Sequence, residues 1–132
     1  MTLNVDSEIG ALRRVLLHRP GLEIDRMVPT MMEHLLFDDI LDGERARAEH
    51  DGFRRLLEYL GVETVLARDL LEDLLEEDAP REELFLALES GGRVPQGTLD
   101  RLRTLDPEDL ATALVAGVLA DRPGDGHLFE LL

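Results

Sequence analysis

Few stretches of this chain can form β-strands, and a long helical stretch separates the two clearest. The first is Val15-Leu16-Leu17, inside "SEIGALRRVLLHRPG" (residues 7–21). This run does not alternate, so it predicts a strand over 12–18 buried on both faces. Pro20-Gly21 ends it, since proline lacks a ladder donor and glycine permits the turn. The second is "VETVL", residues 62–66, which alternates and is rich in β-branched residues. Between them "PTMMEHLL" (29–36) reads as a short helix and "FDDILDG" as a loop or tight turn. Asp42 is placed to N-cap a longer helix reaching Leu60, and Gly61 suits its C′ position. Phe53, Leu56, Leu57 and Leu60 fall on one face of that helix, extended backwards by Ala46 and His50. A crossover of this length favours two parallel strands with helices packed on the sheet. Two strands are a meagre sheet, so the chain is expected to pair with strands it does not itself supply.

The composition changes at Asp69. From Asp69 to Glu83 there are eight acidic residues and one basic residue. The spacing predicts helices over 69–77, 80–90 (starting near Pro80 and stopping at Gly91-Gly92), 98–105 and 107–119. The last has Asp106 as N-cap, Pro107 at N1 and acids at 108 and 109. "DRPGDG" (121–126) reads as a loop. "HLFELL" at the end is apolar where a terminus is ordinarily polar and frayed, which fits a buried strand or a chain cut before its natural end. The expected class is α/β, with units at 1–68 (an αβ unit), 69–121 (an acidic helical bundle) and 122–132 (a returning segment).

A net charge of -15, with arginine as the only basic residue besides histidine, argues against nucleic acid and anionic membrane surfaces as partners. Solubility is the simplest reason for the acid excess. Hydrophobic residues make up 44% of the chain but aromatics only 4%, so the core must be aliphatic. There is no cysteine, which excludes disulfides, thiolate metal sites and a cysteine nucleophile within these residues. No signal peptide is visible, and no apolar run approaches the ~20 residues needed to span a bilayer. A cytoplasmic protein is expected.

The residues alone point to no catalytic site. The histidines at 18, 34, 50 and 127 do not pair at metal-ligand spacing, so no metal is expected. His50 lies on an apolar helix face, where packing is the simpler role, and His18 sits at a strand end, where a structural turn is. Asp38 and Asp39 are adjacent acids of a kind that can bind a cation such as a guanidinium, but a solvated loop or a helix cap is the more common explanation. Gly91-Gly92 is not a phosphate-binding loop, and no Ser-His-Asp set can be assembled.

Several blocks, in order, carry a resemblance. "VDSEIGALRRVLLHRPG" (5–21), "EHLLFDDIL" (33–41), "EHDGFRRLLEYLGVETVLARDLL" (49–71) and "LATALVAGV" (110–118) are similar to successive N-terminal segments of the arginine deiminases. The resemblance implies a pentein-type β/α propeller with a helical bundle inserted after its first αβ unit. It implies hydrolysis of L-arginine to L-citrulline and ammonia without cofactor or metal, through a cysteine that attacks the guanidinium carbon, helped by a histidine and acidic residues. The family's catalytic Asn-Asp motif, Glu-His pair and cysteine would all lie beyond residue 132, so no catalytic residue is assigned and the chain alone is expected to be inactive. The "LLFDDI" block flanks the family's substrate pocket, which makes Leu36 the one substrate-binding candidate. L-arginine is the implied small-molecule partner in the full-length enzyme, and homo-oligomerisation is left open. The competing expectation is a stand-alone, non-catalytic module that uses its acidic helices as an interaction surface.

Overall fold

The computed structural model describes residue 5, residues 7–27, residues 41–118 and the backbone of residues 119 and 129–130. Leu36, Asp38 and Asp39, His34 and His127, the helix expected over 29–36 and the loop at 121–126 lie outside the described residues. Within them the chain runs β1 (Arg14–Leu17), α1 (Leu22–Asp25), α2 (Gly43–Tyr59), β2 (Glu63–Leu66), α3 (Ala67–Glu76), α4 (Asp78–Gly91), α5 (Gln96–Arg103), α6 (Pro107–Ala116), β3 (Val118–Leu119) and β4 (Phe129–Glu130). The architecture is mixed, with helices predominating over two small sheets.

β1 and β2 pair in parallel, with Arg14 opposite Glu63 and Leu17 opposite Leu66. The end of that ladder carries an ion pair, Arg14 Nε to Glu63 Oε2 at 2.5 Å. The helix between them is bounded as its sequence predicts. The Asp42 carboxylate accepts from the Arg45 amide at 3.1 Å, satisfying one of the amides a helix start leaves open. At the other end Gly61 adopts φ +80°. Its amide donates to Glu58 O and the Val62 amide to Leu57 O, each at 3.0 Å. That pair of bonds is a Schellman closure, whose left-handed residue glycine adopts without a Cβ penalty.

The expectation that β1 is buried on both faces is not met. Exposure alternates along Arg14–Leu17, and Leu16 is 60% exposed. Among the described residues the sheet has two strands, and α2 and α3 pack beside β2. The apolar face of α2 is likewise only partly used. Ala46, His50 and Leu57 turn inward, whereas Phe53, Leu56 and Leu60 are 52%, 54% and 66% exposed. The periodic stripe is wider than two strands can shelter.

The principal core lies among α3–α6. Leu75, Phe85, Leu99, Leu102, Leu110 and Ala111 form a continuous buried cluster, flanked by Leu71, Leu84, Leu88, Leu105 and Leu114. Leucines at i, i+3 and i+4 on short helices turn toward one another, and one phenylalanine fills the centre. Helix ends fall near their expected places. Pro80 sits in the first turn of α4, where its missing N–H costs nothing, and Gly92 closes α4 at φ +61°. Asp106 caps α6 by accepting from the Asp109 amide at 2.8 Å.

Several limits differ from the expectation, β1, α4 and α5 by two or three residues at most. α3 begins at Ala67 directly from β2, with no linker. α6 stops at Ala116, three residues short of the predicted Leu119, because Gly117 takes φ +76° and Val118–Leu119 become a strand. That strand pairs antiparallel with β4, Val118 opposite Glu130. The single turn α1 has no periodic signature and was not expected.

Candidate functional site

A set of charged contacts lies where the chain leaves β1. Residues 18–27 form a hook: His18-Arg19-Pro20-Gly21, the single turn α1, then Arg26 and the buried Met27. The hook closes on itself through Glu23. Its Oε1 accepts from the Gly21 amide at 2.6 Å and lies 3.0 Å from His18 Nε2. Burial alone would raise the Glu23 carboxyl. The Gly21 amide and then His18 outweigh it and hold the group below the usual carboxylate range.

Two ion pairs fasten the hook to α2. Arg19 donates through Nε to Asp51 Oδ1 at 2.8 Å and through Nη2 to Oδ2 at 2.9 Å, a parallel two-bond fork. Arg47 donates through Nη1 to both oxygens of Asp25, at 3.1 and 2.9 Å. Gly43, the first residue of α2, is buried beside that pair, and a Cβ there would overlap Asp25 Oδ1. A side chain at 43 would have to push the Asp25 carboxylate off the helix start, where the open amides favour negative charge.

His50 stands beside this set. Its side chain is 13% exposed, Nδ1 lies 3.7 Å from Asp51 Oδ1, and neither ring nitrogen has a hydrogen-bond partner among the described residues. The inward position fits the packing role expected from the helix face. His18, expected to serve a structural turn, does so by closing the hook on Glu23.

The Arg19 hydrogen bonds lower the Asp51 carboxyl to about 2. A carboxylate whose folded value is depressed stabilises the folded state above its unfolded value. The ordinary value for an aspartate is 3.8, so the contribution is complete above about pH 4 and disappears as the pH falls toward 2. Asp51→Asn should remove this part of the acid sensitivity and leave the rest. NMR titration of the Asp51 side chain should give a midpoint near 2. A midpoint at the ordinary carboxylate value would show that the Arg19 fork does not persist in solution.

Chemically, the hook is made of charges that neutralise one another. Among the described residues no group of three or more His, Cys, Asp or Glu side chains could hold a metal ion. The hook supplies no activated nucleophile, and its arginines and acids hold backbone segments together. The ion pairs to Asp51 and Asp25 were not foreseen, because nothing in the spacing of Arg19 and Arg47 reveals a partner across a crossover. The proximity of "HRPG" to the start of the second helix becomes visible only once β1 and β2 are paired.

Comparison with known proteins decides the family. The sequence model of the family described as arginine deiminase matches residues 33–106. This chain belongs to the arginine deiminase family. It is 40% identical to the arginine deiminase of Borrelia duttonii over 125 residues, covering 90% of this chain and 31% of that protein. It is 39% identical to that of Lactococcus lactis subsp. lactis (88% and 30% covered) and 40% identical to that of Rhodococcus erythropolis (90% and 31%). The chain thus spans about a third of the length of these deiminases. The matched range begins in the block containing Leu36, runs through α2, β2 and α3–α5, and ends at the cap of α6. No helix among the described residues is long and apolar enough to cross a membrane.

Proposed function

We propose that this chain forms the N-terminal third of an arginine deiminase, the enzyme that hydrolyses L-arginine with water to L-citrulline and ammonia. The observation that carries this reading is the family match over residues 33–106, in a chain whose relatives are about three times longer. The unfinished apolar surface agrees with it. Leu16 on the sheet and Phe53, Leu56 and Leu60 on α2 are more than half exposed, and a monomeric protein rarely leaves such side chains uncovered together. In this reading further strands of a pentein-type propeller cover them. Residues 1–68 form the first αβ unit, 69–121 a helical insertion, and 122–132 the start of the return to the catalytic part. The nucleophile and proton-transfer groups belong to that remainder. No metal or cofactor takes part, and the enzyme works in the cytoplasm.

Leu36 is the substrate-flanking residue in this scheme. A side chain that touches substrate equally in the ground and transition states affects binding rather than turnover. In a full-length deiminase carrying this segment, Leu36→Ala should raise the KM for arginine about tenfold, the scale of one lost buried aliphatic contact, with kcat nearly unchanged. Steady-state citrulline assays on both proteins test the scheme. An unmutated enzyme that forms no citrulline from arginine would refute the deiminase reading. Identical KM values in an active pair would remove Leu36 from the pocket.

A further inference from the structure

We infer that Arg26 sets the end of α6, making residues 117–119 a junction that is strand while the hook is docked and helix when it is not. Every group it involves lies among the described residues, and it stands apart from the deiminase reading. Other helices end through their own backbone: α2 closes through the amides of Gly61 and Val62, and the Gly92 amide donates to Glu89 O at the end of α4. α6 has no such closure among the described residues, and no basic residue in its own last turn. Its final carbonyls are met by a residue 91 positions earlier in the chain. Arg26 Nη1 donates to Gly117 O at 2.9 Å and to Ala116 O at 3.3 Å. A guanidinium suits this place, since a helix C-terminus leaves acceptors unpaired and carries partial negative charge.

Apart from Gly117, nothing in "LVAGVLA" (114–120) ends a helix: it holds no proline and no polar turn residue. Glycine weakens a helix without ending it. What separates the two states is the Gly117 carbonyl. A helical residue has ψ of about −42°, so the observed ψ of 168° turns that carbonyl about 150° from the helical direction. Extending α6 would turn the oxygen back and break its bond to Arg26. The region at φ +76° and ψ 168° is essentially closed to residues with a Cβ, so glycine is what leaves both states open. In the strand state Val118 packs against the α3–α6 cluster and stands opposite Glu130 of β4. Arg26 is brought to the junction by α1, which packs on α6. Its amide donates to Leu22 O at 2.9 Å, and Met27 beside it is buried. Arg19–Asp51 and Arg47–Asp25 fasten the same hook to α2. Docking of the hook on α2 is thereby relayed to the exit of α6.

NMR on the 132-residue chain tests this, with Cα secondary shifts at 117–119 reporting helix or strand and amide exchange at 110–113 reporting α6 itself. The unmutated chain should give strand-like shifts at Val118 and Leu119. Arg26→Ala should turn them helical, since losing a charged hydrogen bond moves such an equilibrium by about tenfold to a hundredfold. Arg26→Lys keeps the charge but not the planar fork, and should lie between the two. Gly117→Ala should reach the helical state with Arg26 still present, because alanine is excluded from the backbone region that glycine occupies there and favours helix. Protection at 110–113 should persist in all three variants. Strand-like shifts that survive Arg26→Ala or Gly117→Ala would overturn the inference, as would helical shifts in the unmutated chain. Coil-like shifts at 118–119 in Arg26→Ala, or loss of protection at 110–113, would overturn it too, by showing that Arg26 supports α6 and its exit without a helical alternative.

Discussion

Purified and supplied with L-arginine, the 132-residue chain is expected to form no citrulline. The reaction proposed for the family proceeds through a cysteine that bonds to the guanidinium carbon, and the chain contains no cysteine. Removing a nucleophile from an intact site can cost on the order of 10^6 in turnover. The described residues provide no replacement. Each acid of the hook, and the α2 acid facing it, is already engaged: Glu23 with Gly21 and His18, Asp25 with Arg47, and Asp51 with Arg19. The Asp51 carboxyl, at about 2, is far too weak a base for proton transfer near neutrality. The check is citrulline release measured against a protein-free blank, over hours and at high protein concentration. Citrulline above that blank would show that residues 1–132 carry chemistry of their own, and the assignment of catalysis to the remainder of the enzyme would have to be abandoned.

The expected inactivity and the family could both be reached from sequence, but the packing could not. Helix limits were legible where a residue has a stereochemical reason to be there: Asp42 and Asp106 at caps, Gly61 and Gly92 at left-handed closures, and Pro80 in a first turn. Such signals are local, and tertiary context does not overrule them. The parallel pairing of 14–17 with 63–66 was also legible, since the long crossover permits little else. Burial was misread because periodicity tells which side chains share a face and not whether anything lies against it. Val15-Leu16-Leu17 looks like an interior strand, yet Leu16 is exposed because its sheet stops at two strands. The end of α6 was misread because "LVAGVL" is apolar throughout, so only the positive φ of Gly117 distinguishes helix from strand. The Arg26 contact had no signal at all. It joins residues 26 and 117 through backbone carbonyls, whose positions no side-chain pattern encodes.

The largest stability effect should follow from Phe85→Ala, and it should be confined to one part of the molecule. Phe85 is 1% exposed at the centre of the α3–α6 cluster, and the Arg103 guanidinium lies 4.4 Å from its ring centroid. Arg103 is steadied there by Glu89 at 2.8 Å and Glu82 at 3.3 Å. Truncation to alanine removes buried apolar surface and leaves a cavity, a cost of about 3–5 kcal/mol. Loss of the cation–ring contact adds about 0.5–1 kcal/mol. Hydrogen exchange reads both the size and the extent of the damage. In the unmutated chain the amides of 110–116 should exchange slowest, because α6 carries Leu110 and Ala111, the two most deeply buried members of the cluster. Amides of 15–17 should exchange much faster, since a two-stranded sheet is marginal in water. In Phe85→Ala the protection of 110–116 should fall by two to three orders of magnitude, the equivalent of about 3–4 kcal/mol. The strand amides should change less, because they lean chiefly on α2 and the hook, which meet the cluster through α3 and the end of α6. Strand amides that are the most protected in a monomer, or that lose protection in step with α6, would mean that the chain unfolds as one cooperative unit. A self-sufficient module with the acidic helices as its interaction surface would then describe these residues better than a segment awaiting the rest of a propeller.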